Sequence, residues 1–303
     1  MKKALKYSTK VSFITVNFNQ PEVTLQLLDS LQGINYSNWE LIIVDNGSSK
    51  TVPQNVLHKD SRVKYLQLEE NLGFAGGNNR GIDLADGEFL FFVNNDTEVS
   101  PNIVEPLLQV FKTHDTAGMV SPKIVYHHTA KLIQYAGSTE LNPYTMRNSS
   151  IGNKTIDTGQ FNDIRPTAYI HGAAMMIPRK VIDQVGLMFE DYFLYYEELD
   201  WSERVKNAGY SLWYCGESVI YHKESLATGV NSPIKIYYLN RNRLVFARRN
   251  FSWLNRQIAI IYFLIIAFPK NYLVFILQGR NDLAKALSRA VVWNLSTKVA
   301  SIK

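Results

Sequence analysis

The run Phe89–Val93, F-L-F-F-V, is apolar at every position and stops abruptly at Asn94-Asn95-Asp96. A half-buried strand would alternate apolar and polar residues. An unbroken aromatic and β-branched run of strand length reads instead as a strand covered on both faces, as in a parallel sheet. Pro101 follows and is expected to open a helix, where the missing N–H is harmless. A polar tip with one carboxylate therefore sits at the carboxyl end of a central strand, where open α/β sheets hold their ligands. An ordinary strand-to-helix turn would use the same residue types for backbone reasons.

The same grammar recurs upstream. Val11–Val16 is a β-run ending in Asn17-Phe18-Asn19, and Pro21 opens a helix with Val23, Leu27, Leu28 and Leu31 on one face. Leu41–Val44 ends in Asp45-Asn46-Gly47-Ser48-Ser49, and Val63–Leu68 is a short third strand. Leu72–Gly81, L-G-F-A-G-G-N-N-R-G, reads as a glycine-rich loop leading into a helix to Ala85, with a backbone able to come close to a ligand. Strand and helix alternate four times in the first hundred residues, which predicts a doubly wound α/β sheet, mostly parallel. Its polar strand ends, Asn17 and Asn19, Asp45, and Asn94–Asp96, should then converge on one edge. The glycines do not make a G-x-G-x-x-G dinucleotide fingerprint, and they follow the third strand, not the first.

Downstream, Ile103–Thr113 is expected as a helix and Met119–Val125 as a strand, before a polar stretch, Asn142–Asp163, that reads as a long surface loop. Ala168–Pro178, A-Y-I-H-G-A-A-M-M-I-P, places small residues after His171, as close backbone approach or helix-on-sheet packing requires. Tyr192–Gly209 puts Glu197, Glu198 and Asp200 at a helix start among aromatic residues. The macrodipole alone favours carboxylates there. Partial desolvation by the aromatics would also lift a carboxylate pKa into the range of a useful base. Tyr210–Tyr214 and Ser218–Tyr221 read as two short strands, the second closed by His222. Ile234–Asn250 reads as a helix carrying Arg241, Arg243, Arg248 and Arg249, a set that suits a diphosphate or a solvated face.

Charge separates the chain into two parts. The formal net charge is +5 over 303 residues, yet from position 251 onward seven basic residues stand against one acidic, leaving 25 basic and 26 acidic before it. The main body therefore has no nucleic-acid footprint. A single cysteine, Cys215, excludes an intramolecular disulfide and fits a reducing compartment. The start, M-K-K-A-L-K-Y-S-T-K, has a basic flank, but its apolar run is too short for a signal peptide and is expected to be the first strand.

Seven motifs in order carry a resemblance over about residues 11–250: T-V-N-F-N, V-D-N-G-S, N-L-G-F-A-G-G-N-N-R-G, N-N-D, H-G-A-A-M, Y-E-E-L-D-W-x-x-R and H-K-E-S. Together they resemble the family 2 glycosyltransferases of GT-A fold, in the bacterial rhamnosyltransferase-like branch. The resemblance implies that Val16, Asn17, Phe18 and Asp45 hold the nucleoside, and that Asn78 and Asn79 lie near the nucleotide. Asp96 would end a D-x-D-like motif and bind a divalent cation, Mg²⁺ or Mn²⁺, on the donor diphosphate, with His222 able to complete the metal shell. Asn94 and Asn95 fill the other two positions, so Asp96 alone is charged. Glu198 falls at the catalytic-base position, with Glu197 and Asp200 as alternatives.

The implied reaction is inverting transfer of a sugar, rhamnose favoured over a UDP-hexose, from a nucleotide-sugar donor to a hydroxyl of a saccharide or lipid-linked saccharide. Arg241 or Arg243 would help stabilise the departing diphosphate. A sugar-nucleotide nucleotidyltransferase would want a basic glycine-rich signature after the first strand, where N-F-N-Q-P stands. An inactive sugar-nucleotide-binding module is the other rival. Residues 1–250 are expected to form the transferase domain and 251–303 a helical tail. In that tail Ile258–Phe268 is apolar, and Asp282–Lys298 sets Leu283, Leu287, Val291 and Leu295 opposite Lys285, Arg289 and Ser296. Such a basic amphipathic helix predicts attachment to the inner face of the membrane from the cytoplasm, while a homodimer interface would use the same residues.

Overall fold

The computed structural model describes residues 9–297 apart from 54, 56–59, 130 and 224–231. Glu224 and Ser225 of H-K-E-S, Lys298 and the first eight residues thus lie outside the described residues. In chain order the first elements are β1 (Val11–Asn17), α1 (Pro21–Gln32), β2 (Trp39–Asp45), β3 (Val63–Gln67), α2 (Gly73–Leu84) and β4 (Phe89–Val93). Next come β5 (Thr97–Val99), α3 (Glu105–Thr113), β6 (Ala117–Tyr126), β7 (Ile133–Tyr135), β8 (Ile164–Pro166) and β9 (Ala174–Pro178). The remainder is α4 (Arg179–Val185), α5 (Glu197–Asn207), β10 (Ser211–His222) and α6 (Pro233–Asn250), then α7 (Trp253–Leu277) and α8 (Asn281–Ser296).

One sheet runs β3-β2-β1-β4-β9-β6-β10-β5, with β7 beside β6 and β8 beside β10. The block β3-β2-β1-β4 is parallel, as is the β6–β10 pair. Between them β9 runs antiparallel to both neighbours. Its reversal has a consequence for the site. The start of β9, not its end, lies at the carboxyl end of β4, with Ala174 opposite Val93. The segment His171–Ala173 is thereby delivered to the edge where the parallel strands finish.

The F-L-F-F-V strand is buried on both faces, as its composition requires. Phe91 joins Phe13, Leu27, Leu31, Leu41 and Leu107 on one face, and Phe92 joins Ile14, Ile42, Val44 and Trp201 on the other. Adjacent residues feed opposite cores because strand side chains alternate.

Three expectations are corrected and a fourth is refined. The glycine-rich segment is a helix from Gly73, not a loop. Its glycines serve packing: a Cβ on Gly77 would lie 2.9 Å from Val16 Cγ1, and one on Gly81 only 2.4 Å from Ile14 Cγ2. Pro101 lies in a turn after the short strand β5, and α3 starts at Glu105, with Pro106 in its first turn. The two strands expected around Tyr210–Tyr221 are one strand, β10, with a register shift between Cys215 and Val219 where it meets β6. The stretch 142–163 is a surface segment, but folded back on itself through bridges such as Ser138–Ser150 and Asn142–Arg147.

The tail also differs from expectation. In α8, Leu283, Leu287 and Ala290 are buried, and Asn294 donates to the Arg241 carbonyl at 3.1 Å. The apolar face read as a membrane surface is therefore largely occupied by α6, although Leu295 remains exposed. The exposed apolar surface belongs to α7. Only Ala259, Phe263 and Ala267 of α7 are buried, one stripe at helical spacing, whereas Trp253, Ile261, Ile265 and Leu277 are open. Pro269 does not break this helix. The preceding Phe263–Ala267 turn widens to a π segment, and the Phe268 N–H reaches back to the Phe263 carbonyl.

Candidate active site

The carboxyl ends of β1, β2 and β4 are joined by buried hydrogen bonds. Asn17 donates to Asp45 at 2.9 Å, Thr24 donates to Asn17 at 2.9 Å, and Asn95 donates to Thr24 at 3.1 Å. Asp45 also accepts from the Ser48 N–H and the Tyr65 hydroxyl. Both Asn17 and Asp45 are fully buried, so in this structure they form the floor of the edge, while Phe18 stands exposed above it. Asn78 and Asn79 are buried within α2. Asn78 bonds to the Phe74 carbonyl, and Asn79 bridges to Met188 and Glu190. The Asn79 side chain ties α2 to the chain that follows α4, whereas that of Asn78 bonds within α2.

Asp96 and His222 come together because β5 and β10 run antiparallel, pairing Thr97 with His222. His222 Nε2 lies 3.1 Å from Asp96 Oδ1, and Gln134 Oε1 lies 2.7 Å from His222 Nδ1. With Nδ1–H donating to Gln134, Nε2 presents a lone pair toward the carboxylate. Asp96 Oδ1 is buried and makes no hydrogen bond. An orphaned carboxylate oxygen beside an imidazole lone pair fits a divalent cation that takes its other ligands from diphosphate oxygens and water. Among the described residues no group of three or more protein ligands is present. Asn94 stands where a second acidic ligand was sought, and its backbone N–H pairs with the Ala173 carbonyl at 3.0 Å.

The three candidate carboxylates at the start of α5 have different environments. Asp200 is fully buried and held by Tyr192, Arg204, Arg249 and Asn250. Glu197 is 3% exposed, with Oε2 lacking a partner. Glu198 alone of the three is partly exposed. Burial pushes Glu198 up to about 6, and pushes Glu197, which also faces the Glu198 charge, up to about 8. A base must meet its substrate, be ionised near neutrality and hold a proton once it has one. Of the three, Glu198 combines partial exposure with a raised pKa.

A dipeptide that composition and motif reading left without a role connects the two halves of the site. A Cβ on Gly172 would sit 3.6 Å from Glu198 Cγ, so the Glu198 side chain rests on that backbone. The neighbouring His171 ring lies 6.3 Å from the His222 ring and 5.3 Å from Tyr135. The Ala173 N–H donates to His171 Nδ1 at 3.1 Å, which leaves the ring proton on Nε2. Burial holds His171 neutral, down at about 3. In the sequence this position was marked only by the small residues after it and by the H-G-A-A-M motif, neither of which gave it a role.

The arginines are engaged. Arg241 donates to the carbonyls of Asp191 and Tyr192, Arg243 lies 3.2 Å from the Tyr196 hydroxyl, and Arg249 pairs with Asp200 at 2.9 Å.

The mixed α/β sheet, with Asp96, His222 and Glu198 gathered around the His171-Gly172 segment, is of GT-A type. The family model for glycosyl transferase family 2 matches residues 12–186, more than half of the chain, and the chain belongs to that family. It is 26% identical over 247 residues to a low-salt glycan biosynthesis hexosyltransferase of Haloferax volcanii, covering 80% of this chain and 76% of that one. It is 24% identical to the N-acetylglucosaminyl-diphospho-decaprenol L-rhamnosyltransferase of Mycobacterium tuberculosis, covering 70% of this chain and 76% of that one. The fold is that of a Pyrobaculum calidifontis mannosyltransferase solved with GDP-Man and Mn²⁺, with TM-score 0.58, 13% identity, and 96% and 88% of the two chains covered. It is also that of GalNAc-T7 solved with UDP, GalNAc and Mn²⁺, with TM-score 0.64, 16% identity, and 79% and 47% covered.

Proposed function

We propose that this glycosyltransferase moves a sugar, rhamnose first among the candidates, from a nucleotide-diphosphate donor to a hydroxyl of a cell-surface glycan or lipid-linked saccharide, with inversion. One observation carries the reading. His171-Gly172 touches the Glu198 side chain on one side and faces the Asp96–His222 pair on the other. A partly exposed base and a cation site therefore share one short wall. Rhamnosyl and hexosyl transfer in the two relatives named above supports the donor class, and the decaprenol-linked substrate of one of them supports the acceptor class.

Asp96 and His222 would hold Mg²⁺ or Mn²⁺, which supplies positive charge to the leaving diphosphate. The nucleoside would lie over Val16 and Phe18, on the floor formed by Asn17 and Asp45. Glu198 takes the proton of the attacking hydroxyl as its oxygen bonds to the anomeric carbon, and the diphosphate leaves from the opposite face. In this reading no carboxylate bonds to the sugar, so the displacement is single and the anomeric configuration inverts. The raised pKa lets Glu198 keep the proton until products depart.

The acceptor class agrees with α7, a helix of 25 residues containing an 18-residue window of mean hydropathy 2.0, long and apolar enough to cross a membrane by length and composition. With Arg256, Lys270 and Arg280 along and beside it, α7 would hold the enzyme on an anionic membrane surface on the cytoplasmic side. The test is mass spectrometry of products from dTDP-rhamnose and a set of UDP-hexoses, each offered with polyprenyl-diphosphate saccharides, followed by NMR of the new linkage. A transferred sugar with inverted configuration is expected. A retained configuration, or formation of sugar nucleotides in place of their consumption, would contradict the reading.

A further inference from the structure

The residues just before the base have an unusual backbone. Phe193, Tyr195 and Tyr196 have φ of 62°, 70° and 80°, left-handed values that side chains with a Cβ rarely adopt. Three such residues within four positions persist only where the surroundings dictate them. Here the surroundings are identifiable. Asn242, fully buried on α6, directs its side-chain amide at the carbonyls of Tyr192 (2.9 Å), Leu194 (2.8 Å) and Tyr195 (2.8 Å). Its own oxygen accepts from Arg241 Nε at 2.8 Å, and Arg241 Nη2 donates to the carbonyls of Asp191 and Tyr192. The remaining carbonyl, that of Phe193, accepts from the Phe74 N–H at the start of α2, at 2.6 Å. Five consecutive carbonyls, Asp191 to Tyr195, are thus bound from outside the turn, four of them by two neighbouring side chains of α6.

That turn feeds directly into α5. The Asp200 N–H donates to the Tyr196 carbonyl at 2.9 Å, so the helix begins where the left-handed residues end. The turn that Asn242 binds thus leads without a break into the helical turn that carries Glu198.

We propose that Asn242 is a positioning residue: by clamping the left-handed turn Phe193–Tyr196 it aims the Glu198 carboxylate at the acceptor oxygen. Arg241, expected from sequence to meet the diphosphate, is the partner of Asn242 in this clamp. The proposal rests on Glu198 being the base. Asn242 transfers no proton, and its effect is on geometry alone. A reacting group displaced by about 1 Å loses roughly 10² in rate, which sets the scale of the expected effect.

The experiment compares wild type, Asn242→Ala, Asn242→Ser, Glu198→Gln and the Asn242→Ala/Glu198→Gln double variant in the full-length chain. Turnover is measured with dTDP-rhamnose or the UDP-hexose that the product screen selects, together with calorimetric affinity for dTDP and UDP in Mg²⁺. Asn242→Ala should lower kcat by about 10–100-fold and leave nucleotide affinity within about twofold of wild type. Asn242→Ser, which keeps one donor, should fall between. The double variant should lose no more than Glu198→Gln alone, because residues acting through one group are not additive. A folded Asn242→Ala enzyme with wild-type turnover overturns the proposal. So does a loss that multiplies with that of Glu198→Gln, or the failure of both single Asn242 variants to fold, which would make the role purely structural. Wild-type turnover by Glu198→Gln is a different result and removes the base assignment itself.

Discussion

At the scale of single residues, burial separates Glu197, Glu198 and Asp200, which the sequence left as alternative candidates. All three carboxylates were visible as a cluster. Which was tied, which was sealed and which was open depended on Arg249, Asn250 and Gly172, each remote in sequence. Glu197 makes a prediction of its own. Its pKa is raised from the ordinary 4.5 by burial and, secondarily, by the charge of Glu198. The folded state thus holds a proton that the unfolded chain would release, and this contribution is complete below about pH 4.5 and lost as pH rises through about 8. Thermal melts should show Tm falling over that window, and Glu197→Gln should flatten the fall and raise Tm at its upper end. An unchanged slope in Glu197→Gln would mean that Glu197 is not the titrating group. The metal pair predicts separately that Asp96→Ala melts like wild type but loses transfer and Mn²⁺ binding by calorimetry. Undiminished transfer in excess chelator would remove the cation from the mechanism.

At the scale of elements, strands were the legible part. The runs at Val11, Leu41, Val63 and Phe89 all became strands within two residues of expectation, because short runs rich in β-branched and aromatic residues favour strands. The start of helix α2 was placed too late because glycine is among the poorest helix formers, and tertiary packing overrode propensity. The same fact fixes the sign of a substitution. At an exposed helical site Gly→Ala gains about 1 kcal/mol. At Gly81 the new methyl would meet Ile14 Cγ2 at 2.4 Å, and overpacking of this kind costs about 1–3 kcal/mol. Gly81→Ala should therefore be neutral to destabilising by denaturant titration, whereas Gly33→Ala, with its nearest neighbour at 3.5 Å, should stay within about 0.5 kcal/mol of wild type. A clear gain in stability for Gly81→Ala would contradict the packing account of α2. The single strand β10 was read as two because Gly216 and Glu217 interrupt its apolar pattern at the register shift, a feature that only the pairing with β6 explains.

At the scale of the whole molecule, α6 links the two ends of the function. One part of it holds the turn that presents Glu198, and another packs against α7 and α8, so the tail and the catalytic edge share a support. The sequence shows an apolar, basic tail but not which of its helices packs internally, since α7 and α8 both offer a face. Because α8 covers α6, removing residues 251–303 should lower Tm as well as membrane binding. The cleaner variants are Ile261→Glu and Ile265→Glu, both exposed on α7. Each should weaken sedimentation with anionic liposomes about tenfold, the effect of losing one buried isoleucine, while leaving Tm unchanged. A dimer by analytical ultracentrifugation that these variants dissociate, with no liposome binding by the wild type, would assign α7 to self-association. The central claim is that Glu198 is the base of a single inverting displacement, and the most direct measurement is transfer turnover of Glu198→Gln at saturating donor and acceptor. The account predicts a loss of about 10²–10⁴ with donor affinity and Tm preserved. Turnover equal to wild type, with Glu197→Gln or Asp200→Asn folded but inactive, would contradict it.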